Sequence, residues 1–365
     1  MNKLGIGIIG TGVGIRTLLP GFRLLKNAEV IAISGSSPER TKQYATQNSI
    51  PVACEDYRSL CERKDIDLVC VASPNPFHFE HTLAALECEK NVLCEKPFTL
   101  TESDMEVLIS KKQMSGKIGL IDHQLRFNPY LVKIRSIIND GIIGKPYFVQ
   151  IHQQSLSFSD SQTKWSWNFD SKQGGGVKYA MCSHFADLLH YWFDSNIFNL
   201  SASLNPVFKD RKDLNGQSRQ VSTSTFCSVS LELEHSISVS LSVTAGAFST
   251  PRFDVKVYGD KGELYFDLDS KLRMYTVLEK GKEKLIDCTD VFQDERENKV
   301  SIFAGSFRYF APKIVKAILN SDWTEIKDAS TFEDARYTYN FLDAVGNASN
   351  NSILINPKEK EHKYV

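Results

Sequence analysis

Leu4-Gly5-Ile6-Gly7-Ile8-Ile9-Gly10-Thr11-Gly12-Val13-Gly14-Ile15-Arg16 is an apolar run that breaks into a glycine-rich turn and continues as an amphipathic stretch to residue 25. A strand feeding a helix through such a turn leaves backbone N–H groups free at the helix start, where a phosphate can be held. Gly10 and Gly12 stand where a tight turn and a close backbone approach are needed. The third glycine of the usual spacing is displaced, with Ile15 in its place and Gly14 one residue early. A plain strand-to-helix connection can also use glycines, so the context has to decide. Further apolar runs at 30–33, 68–72 and 92–94 alternate with amphipathic stretches at 38–47 and 79–89. Continuous apolar strands separated by helices predict a parallel sheet covered on both faces, which binds ligands at the carboxyl ends of its strands.

Beyond Arg126 the pattern changes. A helix is expected over 128–139 and a strand over 147–153, followed by a polar loop carrying Trp165 and Trp167. Another helix is expected after Gly174-Gly175-Gly176. Residues 222–233, 236–244, 253–258 and 263–267 alternate apolar and polar, the signature of antiparallel strands with one exposed face. A helix with an acidic start at Glu333 and Asp334 is expected over 331–348, and the charged tail at 358–363 is expected to fray. The fold class is therefore α/β, in two domains: a dinucleotide-binding parallel-sheet domain over 1–122 and an α+β domain, largely antiparallel, over 123–365.

Composition narrows the function. At 365 residues the chain can build two cores. Its 43 Lys and Arg against 44 Asp and Glu leave a net charge of -1, which gives no reason to expect a nucleic acid or an anionic membrane as partner. A small molecule is the expected partner. The opening strand follows no basic-then-apolar stretch, so an unexported protein is expected, and no apolar run reaches membrane-spanning length. Eight scattered cysteines without a Cys-x-x-Cys pair fit reduced thiols, so a cytoplasmic protein with no metal site is expected.

Two further stretches bear on chemistry. After the second strand, Ser34-Gly35-Ser36-Ser37-Pro38-Glu39-Arg40 lacks a carboxylate at the tip where the ribose 2′-hydroxyl of NAD is usually held. Hydroxyls and the Arg40 guanidinium suit a 2′-phosphate, which favours NADP over NAD. If the stretch is only a Ser-Pro helix start, NAD binds as well. In Val92-Leu93-Cys94-Glu95-Lys96-Pro97, a lysine at the end of a later strand adds a proton-handling group beside the dinucleotide, which suggests an oxidoreductase.

The turn 10–14, the loop Ser73-Pro74-Asn75-Pro76-Phe77-His78, the Glu95-Lys96-Pro97 tripeptide, Arg126-Phe127-Asn128-Pro129, and the glycine triplet leading to His184 and Asp187 together resemble the glucose–fructose oxidoreductase, inositol dehydrogenase and MocA (Gfo/Idh/MocA) family. The resemblance implies a Rossmann domain followed by an open, mostly antiparallel sheet domain that mediates a homodimer or homotetramer. It implies NAD(P)-dependent hydride transfer at a hydroxyl-bearing carbon of a sugar or cyclitol. Carried over, Lys96 and His184 are the catalytic pair, with the Lys96-Pro97 bond cis. The cofactor lies against Gly10 to Arg16, Ser34 to Ser37, Arg40, Ser73, Pro74, Asn75, His78, Glu95 to Pro97, and Arg126. Lys96, Arg126, Trp165, Trp167, Tyr179, His184 and Asp187 face the substrate. One departure stands out: many relatives carry an aspartate four residues before the histidine, where this chain has Ala180, and a glycine two residues later, where it has Cys182.

The leading expectation is a sugar or nucleotide-sugar dehydrogenase, the latter giving a 3-keto product for later amination. A redox-neutral NAD-dependent glycoside hydrolase keeps the same site but returns the hydride. A non-catalytic dinucleotide-sensing protein is the third reading, motivated by Ala180.

Overall fold

The computed structural model describes residues 3–268, 271–288 and 301–351; the tail at 358–363 lies outside them. Strands β1 (Leu4–Ile9), β2 (Ala28–Ser34), β3 (Val52–Ala53), β4 (Leu68–Val71), β5 (Asn91–Cys94) and β6 (Gly119–Ile121) form one sheet in the order β3-β2-β1-β4-β5-β6. Every pairing is parallel. β1 and β4 are buried at every residue, as strands covered on both faces must be, which is why they read as unbroken apolar runs. Helices α1 (Leu19–Arg23), α2 (Pro38–Gln47), α3 (Tyr57–Cys61), α4 (His78–Glu87) and α5 (Glu102–Ser115) make the crossovers. Ser37, Asp56 and Thr101 cap α2, α3 and α5 by accepting a backbone N–H.

The chain divides into two compact units. The first runs to Asn128 and also takes in the later segment ending at Arg336; the second begins at Pro129 and takes in the segment from Tyr337. The division thus differs from a single cut at residue 122, because a late segment returns to the first unit. Its helix, which we number α8 (Ile302–Asn320) after α6 (Pro129–Asn139) and α7 (Ser183–Phe193), places Phe307, Phe310, Ala311, Ile314 and Val315 in the same buried cluster as β1. Phe310 stacks on Phe127 with centroids 4.2 Å apart, and Phe307 meets Phe22 edge-on at 5.2 Å. Residues 307, 310, 311, 314, 315 and 318 have helical spacing, although no helix was expected there. Which core it would enter was not visible in the sequence, because its partners lie about two to three hundred residues away in the chain. Downstream of it, the Ser330 carbonyl accepts Ile121 N–H at 2.8 Å, so the edge of β6 is covered.

In the second unit, β7 (Pro146–Gln154), β8 (Ile197–Asn205), β9 (Asp210–Lys212), β10 (Ser218–Gln220), β11 (Phe226–Leu233), β12 (Ile237–Thr244), β13 (Arg252–Gly259), β14 (Gly262–Asp267), β15 (Lys271–Thr276) and β16 (Lys284–Ile286) follow in sequence. Eight of them form a sheet in the order β16-β15-β14-β13-β7-β12-β11-β8, while β9 and β10 pair as a hairpin. Only β7 and β12 run parallel in the larger sheet. One face carries Val149, Ile151, Leu241, Val243, Val255 and Phe266, all buried. Phe185 of α7 packs on Phe253 at 5.4 Å, and Tyr130 of α6 on Phe266 at 5.7 Å. The opposite face is polar, with Ser228, Ser230, Ser238, Ser240, Gln150 and Lys256 in register. The alternating pattern is therefore satisfied inside the unit, and the homodimer or homotetramer rests on the resemblance alone. The last helix, α9 (Ala335–Asn351), starts after the acidic pair: Asp334 accepts Thr331 N–H at 2.7 Å in the turn before it.

Truncating Phe310 to alanine should lower the unfolding free energy by about 3–5 kcal/mol, since a fully buried aromatic leaves a cavity between α8 and Phe127. Urea denaturation checks this; a loss below about 1 kcal/mol would mean that α8 does not hold the first core together.

Candidate functional site

Backbone hydrogen bonds bring the carboxyl ends of the first sheet's strands into one row. Gly10 N–H donates to Ser34 O at 2.8 Å, Ala72 N–H to Ile9 O at 2.7 Å, Glu95 N–H to Val71 O at 2.8 Å, and Asp122 N–H to Cys94 O at 2.7 Å. The glycine turn, the 73–78 loop, the Glu95-Lys96-Pro97 tripeptide and Asp122 therefore emerge along one edge, with the strand order reversing beside β1.

The three glycines of the turn do different work. Gly10 has φ +119, and a Cβ there would lie 2.2 Å from Ala72 O, so only glycine fits. A Cβ on Gly14 would meet Ile8 Cγ2 at 2.5 Å, so the displaced glycine provides the close helix-to-strand packing. A Cβ on Gly12 would meet nothing within 4 Å. No protein contact requires glycine at 12, and the open side of the turn is where a pyrophosphate would lie against the backbone. From Gly14 to Leu18 the chain winds as a π-turn before α1, a distortion often found at functional sites.

At the tip of β2, Ser34 is buried, while Ser36 and Arg40 are exposed. The Ser37 hydroxyl accepts Arg40 N–H at 3.4 Å and donates to Glu39 at 2.9 Å, so part of the hydroxyl chemistry of this loop goes into capping α2. His78 is buried, with Nδ1 2.8 Å from Pro97 O and Nε2 2.9 Å from Ser73 O. Burial pushes its pKa down, and the neutral ring donates to one of these two carbonyls while packing between the 73–78 loop and the lysine loop. His81 supports the same loop through Ser73 Oγ at 2.9 Å, and burial pushes it down to about 4. Arg126 is buried in the 3₁₀ turn Gln124–Phe127, with Nη1 3.4 Å from Asp328 O and 3.9 Å from Asp334 Oδ2. These contacts hold the 328–334 segment of the same unit.

Lys96 follows β5 and is half-buried, and the Lys96-Pro97 bond is cis. Burial pushes its pKa below the usual lysine range, while the charges of Glu95 and Asp122 act in the opposite direction. Glu95 and Asp122 are both buried, and burial pushes both carboxyls up. The sequence reading singled out Glu95 but not Asp122. The signal was there: Asp122 directly follows the apolar run 119–121, just as Glu95 and Lys96 follow 92–94.

In the second unit, His184 and Asp187 are both buried on α7, one turn apart. Tyr337 was not anticipated: its phenol is pushed up by burial and then by the charge of Asp187, and its ring stacks on His190 at 4.3 Å. Gly174 and Gly176 have φ +71 and +84, and a Cβ on Gly175 would lie 2.4 Å from Asn168 O. The triplet is thus the point where the Trp167–Phe169 turn packs against the entry to α7. Lys178–Cys182 is a π-turn; in it Ala180 is exposed, Tyr179 is half-buried, and the Tyr179 carbonyl accepts Ser183 Oγ at 3.0 Å. Trp165 donates its indole N–H to Gln220 O at 3.0 Å and has Arg219 over its ring at 5.3 Å, so it is pinned to the β9–β10 hairpin. Trp167 is half-buried in its own turn.

A parallel sheet of this order, with an open glycine turn and a lysine at a strand tip, defines a dinucleotide-binding Rossmann protein. Two family descriptions match the chain, "Oxidoreductase family, NAD-binding Rossmann fold" over residues 4–123 and "Oxidoreductase family, C-terminal alpha/beta domain" over residues 135–355, and the chain belongs to this Gfo/Idh/MocA family. It is 26% identical over 271 residues to oxidoreductase sll0816 of Synechocystis sp., covering 73% of this chain and 72% of that one. It is 30% identical to the 1,5-anhydro-D-fructose reductase of Ensifer adhaerens over 192 residues, covering 52% of this chain and 56% of that one. Among solved structures it is similar to levoglucosan dehydrogenase in complex with NADH and L-sorbose, with a TM-score of 0.85, 18% identity, and 98% and 99% of the two chains covered. At that identity the likeness shows the fold.

Gly12→Ala should fold with unchanged thermal stability yet lose at least about tenfold in dinucleotide affinity, whereas Gly10→Ala should lose about 3 kcal/mol or more of stability. Calorimetric titration and thermal melting separate the two. A Gly12→Ala protein that binds dinucleotide normally would contradict the placement of the pyrophosphate.

Proposed function

We propose that the chain transfers hydride between NAD(P) and a secondary hydroxyl or keto carbon of a sugar, with nucleotide sugars included in the class. The observation that carries this reading is Lys96, a half-buried lysine at the carboxyl edge of the sheet whose burial favours its neutral form. The open side of Gly12 and the amides of the turn fit a pyrophosphate. A bound nicotinamide would supply the hydride acceptor. Lys96, uncharged, takes the proton of the substrate hydroxyl, or, charged, returns it to a keto oxygen. In this reading His184 holds the carbinol oxygen and Asp187 orients the imidazole, with a neutral methyl at Ala180 where many relatives place a carboxylate. The names of two similar proteins, a levoglucosan dehydrogenase and an anhydrofructose reductase, support a sugar as the substrate class. We place the protein in the cytoplasm, as its scattered cysteines suggest, and as a homodimer or homotetramer, as the resemblance suggests.

Lys96→Ala should lower turnover by about 10²–10⁴-fold while dinucleotide affinity stays within a few-fold. Because oxidation needs the neutral amine, its rate should rise with pH through the lowered pKa of Lys96, and the rate of ketone reduction should fall over the same range. The appearance of reduced nicotinamide across a panel of sugars, cyclitols and nucleotide sugars measures both. Dinucleotide binding with no turnover on any member, in wild type and variant alike, would favour the sensing reading that Ala180 motivates. Sugar cleavage without net reduction would favour the hydrolase.

For the cofactor, exposed Ser36 and Arg40 at the β2 tip support NADP, while Glu39 beside them, held by Ser37, is the group that would serve the ribose diol of NAD. Arg40→Ala should weaken NADPH binding by about tenfold or more and leave NADH binding unchanged. Equal loss for both would remove the 2′-phosphate contact from the account.

A further inference from the structure

The carboxyl ends of β5 and β6 bury two acids where the site described above uses one lysine. Asp122 is fully buried, and among the described residues no donor group reaches either of its carboxyl oxygens or Glu95 Oε1; the two carboxyls interact with each other instead. The two residues are held together by the backbone, since Asp122 N–H donates to Cys94 O at 2.7 Å. Lys96 N–H donates to Glu95 Oε2 at 3.3 Å. One ammonium can compensate one buried carboxylate, but a second unpaired charge in the same volume costs several kcal/mol. One of the two acids therefore keeps its proton. The Lys96 amide favours the charge on Glu95, which leaves the proton on Asp122.

The thiols and His78 around the cluster do not alter this count. Cys94 on β5 and Cys70 on β4 are thiols that burial pushes up and keeps neutral. His78, at the start of α4, is pushed down by burial and is neutral as well. His123, next to Asp122, has Nδ1 3.0 Å from Ser330 Oγ. The charges that act on Asp122 are those of Glu95 and Lys96.

We propose that Asp122 is a positioning residue for Lys96: it stores the one proton of a two-carboxyl cluster with Glu95 and thereby sets the pH at which Lys96 changes from acid to base. Charge balance gives the direction. Starting from charged Lys96, charged Glu95 and neutral Asp122, the next proton leaves either Lys96 or Asp122. When Asp122 loses it, the new carboxylate holds Lys96 in the ammonium form to higher pH. With an amide at 122 that route is closed, and Lys96 loses its proton at lower pH. Glu95→Gln lets Asp122 ionise in its place, so Lys96 again faces a single carboxylate and its titration should move in the same direction by a similar amount.

The proposal rests on reading Lys96 as the proton-handling lysine, but it is tested without turnover. The side-chain titration of Lys96 is followed by NMR in protein labelled at lysine, assigned by its loss in Lys96→Met. In Asp122→Asn the Lys96 titration should move down by about one pH unit or more, and in Glu95→Gln by a similar amount. An unmoved titration in folded Asp122→Asn would overturn the proposal. Wild-type protein gives a second measurement that needs no folded variant: infrared spectra at neutral pH should show the carbonyl stretch of a buried protonated carboxylic acid, and its absence would also overturn the proposal. A protein that transfers no hydride but shows the shifted titration would refute the function and leave the carboxyl pair standing.

Discussion

Four backbone hydrogen bonds across the carboxyl ends of adjacent parallel strands hold the chemistry of the first unit in one row, from Ser34 through Ile9 and Val71 to Cys94. Each bond fixes the point at which one strand stops and a loop begins. Parallel pairing then forces those loops to the same edge of the sheet, because every crossover returns the chain to the opposite end before the next strand starts. The glycine turn, the loop tied down by His78, Lys96 and Asp122 are neighbours for this reason and not because of sequence proximity. The same geometry explains the unusual burial of charge. A lysine and two acids at strand ends cannot reach bulk water easily, so their proton affinities are set by one another.

Where function rests on such an edge, the sequence is informative in proportion to how local the cause is. The apolar runs of β1, β4 and β5 and the glycines at 10, 12 and 14 are local signals and were legible. So was the alternation of β11 to β14, because a sheet with one covered face imposes period two on every strand. Less legible was anything that depends on distant packing. α8 has a clear helical pattern, yet its place beside β1 is decided by Phe22 and Phe127, far away in the chain. Asp122 escaped notice because its significance lies in being beside Glu95, a relation that exists only once β5 and β6 pair.

Individual side chains show the same limit. Trp165 reads as a stacking platform in the sequence, but its indole N–H and one ring face are occupied by the β9–β10 hairpin. Arg126 reads as an anion ligand, and in the folded chain it braces the 328–334 segment through Asp328 and Asp334. His78, expected at the cofactor, lies between the Pro97 and Ser73 carbonyls. In each case the residue type was a fair guide to the chemistry, and the tertiary partner adds a contact that the sequence did not show. The triplet 174–176 makes the opposite case: Gly174 and Gly176 have positive φ, and a Cβ on Gly175 or Gly176 would meet neighbouring atoms closely, which is why glycine serves at the entry to α7.

The central claim is that a hydride passes between a sugar carbon and a nicotinamide held at the carboxyl edge of the first sheet. The most direct measurement is to incubate the protein with oxidised dinucleotide and sugars deuterated at their carbinol carbons, quench rapidly, and weigh the dinucleotide by mass spectrometry. The account predicts that the nicotinamide gains a deuteron from at least one sugar. Saturating dinucleotide binding with no label transferred from any of them would contradict it.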